Sequence, residues 1–326
     1  MIKTRIVSTG SYLPENRLTN FDLEKIVDTS AEWIVERTGI HERRIGTKDE
    51  AASDLAYEAS KIALKKAGLK AKDLDMIICA TVSGDLPFPS TACLLQNRLD
   101  AVNAASFDVS AACSGFIYGL YLADNLIKVG ARKRILLIGV DMLSRVTDWD
   151  DRSTCIIFGD GAGAVILEPS KDESGIMSTD IRSDGSMWDY IQVPGGGSRT
   201  PFSKECLDKK LQFVRMKGNE TYKVAVKTLE SIALETLEKN NIKASQLSLL
   251  IPHQANIRII QATAKRLGLP MEKVMVNIEK YGNTSSASIP IALDEALTSG
   301  RIRKGDYILL EAFGAGLTWG SSLIRW

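Results

Sequence analysis

Cys113 stands in Ser110-Ala-Ala-Cys-Ser-Gly115, between the apolar segment Ala104 to Val109 and the helical run Gly115 to Val129. A thiol at a strand-to-helix turn faces unsatisfied helix N–H groups and the positive end of the helix dipole, and both stabilise thiolate. Its small neighbours let a substrate carbonyl approach closely, so the chemistry on offer is nucleophilic attack. A free cysteine is otherwise a small buried hydrophobe, the role expected of Cys79, Cys93 and Cys155 in their strand or helix patterns. Cys206 falls in a loop.

His253 is one of only two histidines. It ends the strand-like Leu249-Leu-Ile-Pro and opens His-Gln-Ala-Asn before a helix, a position where functional side chains concentrate. The plain alternative is an imidazole satisfied by its own turn. His41, within His41-Glu-Arg-Arg44, reads as a solvated residue. Asn283, in Tyr281-Gly-Asn-Thr-Ser-Ser, is by itself a turn or N-cap residue. A Cys/His/Asn set would join a nucleophile to a neutral polar pair, with no metal.

Two glycine-rich runs differ in meaning. Gly159-Asp-Gly-Ala-Gly-Ala precedes a strand-like run and no helix follows, which disfavours a phosphate cradle. Phe313-Gly-Ala-Gly-Leu-Thr-Trp-Gly320 joins two strand-like runs, and its N–H groups can complete an oxyanion site or simply form a bend. Arg258 and Lys265 share a helix face, with Arg266 adjacent and Lys223 at the start of another helix. A solvated face is their plain reading. Trp33, Arg37 and Arg152 are scattered, and spacing alone says little about them.

Alternating elements must position these residues. Met76 to Ala80, Arg134 to Gly139, Gly163 to Leu167, Leu247 to Ile251, Val274 to Asn277 and Tyr307 to Glu311 read as strands. Thr91 to Leu99, Tyr222 to Lys239, Ile257 to Leu267 and Ser286 to Leu297 read as helices. Apolar runs between helices are strands covered on both faces, hence an α/β fold. The chain also repeats itself. KAKDLDMIICA from Lys70 resembles KASQLSLLIPH from Lys243, 173 residues later, which sets His253 opposite Ala80. Further on, Ala123-Asp124 matches Leu293-Asp294 and Gly130 matches Gly300, 170 residues apart, which sets Cys113 opposite Asn283. Two related halves then aim strand-to-helix turns at one cleft. Between them Arg182 to Asp208, polar and glycine-rich with little periodicity, reads as a loop insertion, a candidate lid or channel wall.

Composition sets the class. At 326 residues, with 44% hydrophobic and 25% charged residues, the chain is ordinary for a protein outside membranes. Lys+Arg total 41 against Asp+Glu 40, so no overall field favours nucleic acid or an anionic membrane. No stretch has signal-peptide or membrane-span character. The five cysteines show no CxxC and no Cys/His cluster, so reduced thiols in a cytoplasmic setting fit better than disulfides or zinc.

Taken together, the motifs are familiar. Trp33 to Gly39 (WIVERTG), Asp108 to Gly115 (DVSAACSG), Phe158 to Ala164 (FGDGAGA), Pro252 to Asn256 (PHQAN), Tyr281 to Ser285 (YGNTS) and Glu311 to Gly320 (EAFGAGLTWG) resemble the β-ketoacyl-acyl-carrier-protein synthase III family across essentially the whole chain. The Cys/His/Asn combination argues against relatives with Cys/His/His or Cys/His/Cys. The resemblance implies a duplicated thiolase-like αβαβα layered fold, with halves at 1–172 and 173–326, and a homodimer. It implies Cys113, His253 and Asn283 as catalytic set, with the backbone N–H groups of Cys113 and Gly316 as oxyanion hole. Trp33 and Arg152 resemble the pair that sandwiches the coenzyme A adenine, Arg37 a phosphate contact, and Gly218 and Asn256 contacts to the pantetheine arm. Phe88 matches a residue that reaches the partner subunit's acyl pocket. Lys223, Arg258, Lys265 and Arg266 correspond to a face that docks the acidic acyl carrier protein. Arg266 stands where the family leads one to expect Lys, which keeps the charge and changes the hydrogen-bond geometry.

The implied reaction is a ping-pong decarboxylative Claisen condensation of a short acyl-coenzyme A with malonyl-acyl carrier protein, initiating type II fatty acid synthesis. No cofactor is implied, coenzyme A thioester being a substrate. A second reading keeps the fold and changes the partner, as in quinolone, polyketide-starter or hydroxymethylglutaryl-type synthases. A third is a carrier-binding subunit without chemistry, against which the three retained catalytic residues argue. The primer is left open: acetyl and branched acyl groups differ by methyl groups, worth about 1–3 kcal/mol of pocket shape.

Overall fold

Apolar runs set between amphipathic stretches become strands that must be covered on both sides, and two sheets result. The computed structural model describes residues 2–326. The nine strands of the two sheets are β1 (Thr4–Tyr12), β2 (Met76–Ala80), β3 (Ala105–Val109), β4 (Ile135–Met142), β5 (Asp160–Pro169), β6 (Gly175–Ser183), β7 (Leu249–Pro252), β8 (Tyr307–Gly314) and β9 (Thr318–Arg325). The longer helices are α1 (Ala31–Thr38), α2 (Ala52–Ala67), α3 (Thr91–Leu99), α4 (Gly115–Lys128), α5 (Gly218–Lys239), α6 (Ile257–Arg266) and α7 (Ser288–Thr298).

The first sheet runs β1-β5-β4-β2-β3 and the second β6-β9-β8-β7. In both, two antiparallel pairings come first; two parallel pairings follow in the first sheet and one in the second. Helices α4 and α7 lie between the sheets, where Phe116, Leu120, Ile289 and Leu293 pack with Ile78, Leu137, Ile251 and Leu310. Each such buried side chain is worth roughly 1.5–3 kcal/mol. Outside the first sheet, Leu55 and Ala59 of α2 and Leu95 of α3 meet Ile77 and Leu136. Outside the second, Leu237 of α5 and Ile260 of α6 meet Leu250 and Leu309. The layers are therefore α/β/α/β/α, the expected thiolase-like arrangement.

The internal repeat has a different register from the one read at the helices. Met76 pairs with Ile135 and Leu249 with Ile308, the same 59-residue step in each sheet. The 3-10 turns before the central helices also correspond: Ala112–Ser114 opens on Ala112 at φ +45, and Ser285–Ala287 on Ser285 at φ +52. The 173-residue offset thus persists to these turns, and the counterpart of Cys113 is Ser286, not Asn283. The helices absorb the difference, since α4 has 14 residues and α7 has 11. Asn283 comes from extra chain. Ser106 pairs with Ile77 six residues before Ala112, while Val274 pairs with Leu250 eleven residues before Ser285.

Other expectations change too. Val274 to Asn277 forms a single bridge rather than a strand, because the Gln254 carboxamide serves its backbone: Nε2 donates to Met275 O at 3.1 Å and Oε1 accepts from Asn277 N at 3.0 Å. Arg182 to Asp208 contains a 3-10 segment (Gly185–Tyr190), a two-residue strand and a short helix (Lys204–Asp208) capped by Ser203. Cys93 is exposed on α3, facing away from the core that was expected to hold it. Cys155 is buried, but in a turn.

Candidate active site

The turn that carries Cys113 is strained and braced. Ala112 occupies a left-handed conformation that side-chain-bearing residues rarely adopt, at a cost on the order of 1–3 kcal/mol. The β8–β9 turn holds it in place. Thr318 Oγ1 donates to Ala111 O at 3.0 Å, and Ser114 Oγ donates to Thr318 O at 2.9 Å. Gly316 sits in that turn at φ +132, beside the nucleophile's support. Gly314 ends β8 directly against Cys113: a Cβ there would lie 2.7 Å from Cys113 N. Sequence reasoning passed over Gly314, because its necessity comes from a contact across the two halves.

Cys113 is half-buried. Desolvation of its thiol pushes the pKa up to about 12, with the Asp141 charge adding to the rise. A hydrogen bond from the Ser285 hydroxyl and the residue's own N–H pull the other way. The lowered pKa expected from the α4 N-terminus is therefore outweighed by burial.

His253 extends the β7–β8 ladder, its N–H donating to Glu311 O at 2.8 Å. Its Nδ1 lies 2.7 Å from Ser288 Oγ, which also accepts from Gln254 N at 3.4 Å. Among the described residues the serine proton has no other taker, so it goes to Nδ1 and the imidazole proton sits on Nε2. Burial drives the imidazole pKa down to about 3, so the ring is neutral near pH 7. Asn283 is buried and bridged to the segment before β5, donating from N to Ile157 O at 2.9 Å and accepting from Gly159 N at 3.0 Å. Its Oδ1 accepts from Ser285 N at 2.8 Å, which leaves Nδ2 without a protein partner among the described residues.

One short segment thus binds the set together. It supplies Asn283, meets Cys113 through Ser285 and holds His253 through Ser288. The arrangement offers a thiol and two neutral N–H donors, which suits charge developing on a carbonyl oxygen. The two serines were missed as site residues. Their only sequence signal was their place in the run after Asn283.

A second cluster lies at the α1 end. Both guanidiniums of Arg37 and Arg152 stack on Trp33, at 5.3 and 5.2 Å from the ring. Arg152 also donates to Asp28 O at 2.8 Å. Asn256 caps α6 through Arg258 N at 2.8 Å and donates to Arg37 O at 2.9 Å, so it joins this cluster to the basic helix. Gly218 begins α5 on the surface, where nothing requires a glycine. Lys223, Arg258, Lys265 and Arg266 are all exposed on the packed pair α5 and α6. Arg258 stacks on Tyr222 at 5.7 Å, whereas Arg266 is paired with Glu230. Phe88 is 84% exposed in the loop after β2, far from burial in this subunit.

Residues 107–185 match the model of the 3-oxoacyl-[acyl-carrier-protein] synthase III family, and residues 237–326 match the C-terminal model of that family. The chain is 54% identical to the β-ketoacyl-[acyl-carrier-protein] synthase III of Caldanaerobacter subterraneus subsp. tengcongensis, covering 100% of this chain and 98% of that one. It is 53% identical to the protein of the same name from Xanthomonas oryzae pv. oryzae, covering 100% and 99%. The crystal structure of 3-oxoacyl-[acyl-carrier-protein] synthase III from Aquifex aeolicus, 52% identical, matches with a TM-score of 0.92 over 99% of this chain and 100% of that one. The chain belongs to the 3-oxoacyl-acyl-carrier-protein synthase III family.

Proposed function

We propose that this chain performs the initiating condensation of fatty acid synthesis, joining a short acyl group from coenzyme A to malonyl-acyl carrier protein through an acyl-Cys113 intermediate. The observation that carries the reading is the segment from Asn283 to Ser288, which supplies one polar donor, orients another and touches the thiol. The Cys113 thiolate attacks the acyl thioester, and the tetrahedral oxyanion lies on the N–H groups of Cys113 and Gly316. Coenzyme A leaves as its thiolate, which takes up the proton that the Cys113 thiol gave up. Malonyl-carrier protein then enters, with its thioester oxygen accepting from His253 Nε2 and Asn283 Nδ2. Loss of carbon dioxide leaves an enolate that these two donors stabilise. The enolate carbon attacks the acyl-Cys113 carbonyl, and collapse expels the thiolate and releases 3-oxoacyl-carrier protein. Decarboxylation itself generates the carbanion, so this route calls on no cofactor.

Trp33 and Arg152 take the adenine of coenzyme A between them, Arg37 a phosphate, and Gly218 and Asn256 the pantetheine arm. The Arg152 side chain now on Trp33 swings aside to admit the base. Lys223, Arg258, Lys265 and Arg266 face the acidic carrier protein. The subunits pair along β3, an edge strand bordered by exposed Val82, Leu86, Phe88 and Val102, which suits a homodimer better than a free edge. Residues 1–172 and 173–326 are duplicated halves, a reading supported by their matching strand order. The enzyme works in the cytoplasm; among the described residues no helix is long and apolar enough to cross a membrane.

The test is condensation of acetyl-coenzyme A with either malonyl-carrier protein or malonyl-coenzyme A, following carbon dioxide release and 3-oxoacyl product. Carrier-dependent product supports the assignment. Equal use of free malonyl-coenzyme A rejects the carrier protein as partner.

A further inference from the structure

Asp141, near the end of β4, is fully buried and has no cationic partner among the described residues. Donors surround its carboxylate instead. Oδ1 faces Thr81 Oγ1 at 3.2 Å, Val82 N at 2.9 Å and Ser83 Oγ at 2.8 Å. Oδ2 faces Ser286 N at 3.2 Å and Ser286 Oγ at 2.8 Å, the serine hydroxyl lying also 2.8 Å from Ala80 O. The Ser286 hydroxyl, with one proton to give, is shared between Asp141 Oδ2 and Ala80 O.

The repeat gives this arrangement a meaning. At the 173-residue offset that relates Met76 to Leu249, Ala80 corresponds to His253, Cys113 to Ser286 and Asp141 to Gly314. In the half that carries the thiol, Gly314 lies flat against Cys113 N and brings no acceptor to it. In the other half, Asp141 stands at the matching strand position and its Oδ2 takes the Ser286 N–H. A carboxylate oxygen thus fills the place where, beside Cys113, the oxygen of a reacting thioester would sit. Gly139, one strand residue pair earlier, lets this happen, since a Cβ there would lie 2.3 Å from Ser286 O.

We propose that Asp141 is a positioning residue for condensation: a built-in occupant of the second half's N–H pocket that pins Ser286, and through it the segment that carries Asn283 and braces His253. The inference rests on the condensation reading above. Its anchor is specific, because Ser286 lies between Ser285, which meets Cys113, and Ser288, which meets His253. The same charge has a second effect. The Ser285 hydroxyl and the residue's own N–H favour the Cys113 thiolate, whereas the Asp141 charge opposes it. Removing the carboxylate therefore pushes the two half-reactions in opposite directions.

Asp141→Asn and Ser286→Ala are the variants, in the full-length protein. The carboxamide keeps the shape of the side chain, yet its one oxygen can accept from only one of the two sets of donors, and its NH2 faces the other. Three quantities are read: thermal melting, the pH profile of Cys113 alkylation by iodoacetamide, and single-turnover condensation of the pre-acetylated enzyme with malonyl-carrier protein. In Asp141→Asn the alkylation profile moves to lower pH, and the rate at fixed pH rises about threefold. Its condensation falls about ten- to a hundredfold, as expected for a misplaced donor pair. Ser286→Ala loses condensation without moving the alkylation profile to lower pH. Parallel loss of alkylation, condensation and melting temperature in both variants marks a merely structural role and overturns the proposal, as does unchanged condensation in both. If unmodified protein takes no acetyl group from acetyl-coenzyme A, the condensation reading falls and the proposal with it. A fully acetylated enzyme whose variants condense normally sinks the proposal alone.

Discussion

Ser288 Oγ stands 2.7 Å from His253 Nδ1, and this contact decides which imidazole nitrogen carries the proton. Ser288→Ala frees the ring to place its proton on either nitrogen. Condensation with malonyl-carrier protein is expected to fall about tenfold, while acetyl transfer to Cys113 keeps its rate. Single-turnover assays of each half separate the two. Equal losses in both halves would count against an orienting role.

Burial also makes His253 a pH-dependent element of stability. Its folded pKa of about 3 lies below the ordinary imidazole value of 6.5. Between those values the unfolded chain binds a proton that the folded chain refuses, so stability is full above pH 6.5 and declines as pH falls towards 3. The slope from one such group is about 1.4 kcal/mol per pH unit at most. Urea unfolding from pH 7 to 4.5 should show a shallower decline in His253→Gln. An unchanged slope would mean that the ring is protonated in the folded site.

Glu311 has the opposite sign. It is fully buried in the middle of β8 with neither carboxyl oxygen partnered among the described residues, and burial raises its pKa to about 8. From the ordinary carboxyl value of 4.5 up to about 8 the folded chain keeps a proton that the unfolded chain has lost. Stability therefore declines as pH rises through that window. Glu311→Gln removes the titration and should gain stability over the parent as pH goes from 5.5 to 7.5. Denaturant midpoints at the two pH values give the comparison, and a constant difference would contradict it.

Gly314→Ala forces a Cβ to within 2.7 Å of Cys113 N, where neither partner is a flexible side-chain end. The nucleophile turn or β8 must move. Overpacking of this kind costs about 1–3 kcal/mol, and the displaced N–H should lower acetyl transfer about 10²-fold. Melting and acylation rates measured on the same sample test both. Normal acylation would show that Cys113 N is not held by this contact.

The basic helices offer a graded test. Lys265 has no ion-pair partner among the described residues, while Arg266 is engaged by Glu230. Lys265→Ala should raise KM for malonyl-carrier protein, most clearly at low ionic strength, and leave KM for acetyl-coenzyme A in place. Arg266→Ala should have a smaller effect, since its charge is already neutralised. The reverse order would place the carrier protein closer to α5.

Much of this was legible in the residues. Met76 to Ala80 and Thr91 to Leu99 became the strand and helix read from their patterns, residue for residue, because a continuous apolar run and a capped amphipathic one leave little choice. The Cys, His and Asn positions could be named from motifs. Their supports could not. Gly314 and Gly139 matter through contacts between halves, and Asp141 looks like any strand-end acid until Ser286 is seen against it. The repeat misled at Cys113 because the helix match carried a three-residue deletion back into the turn. Val274 to Asn277 has the side chains of a strand, but a carboxamide takes its backbone bonds. Burial of the Cys113 thiol, which sets its pKa, depends on chain far away in sequence.

The central claim is that Cys113 carries the acyl group. The most direct test is incubation with acetyl-, isobutyryl- and longer acyl-coenzyme A separately, followed by intact-mass and peptide mapping, beside Cys113→Ser. The expected result is one acyl group per chain on the peptide holding Cys113, absent from the variant, with the extent ranking the primers. Folded protein that takes no acyl group, or takes it on Cys93 or another residue, would contradict the account.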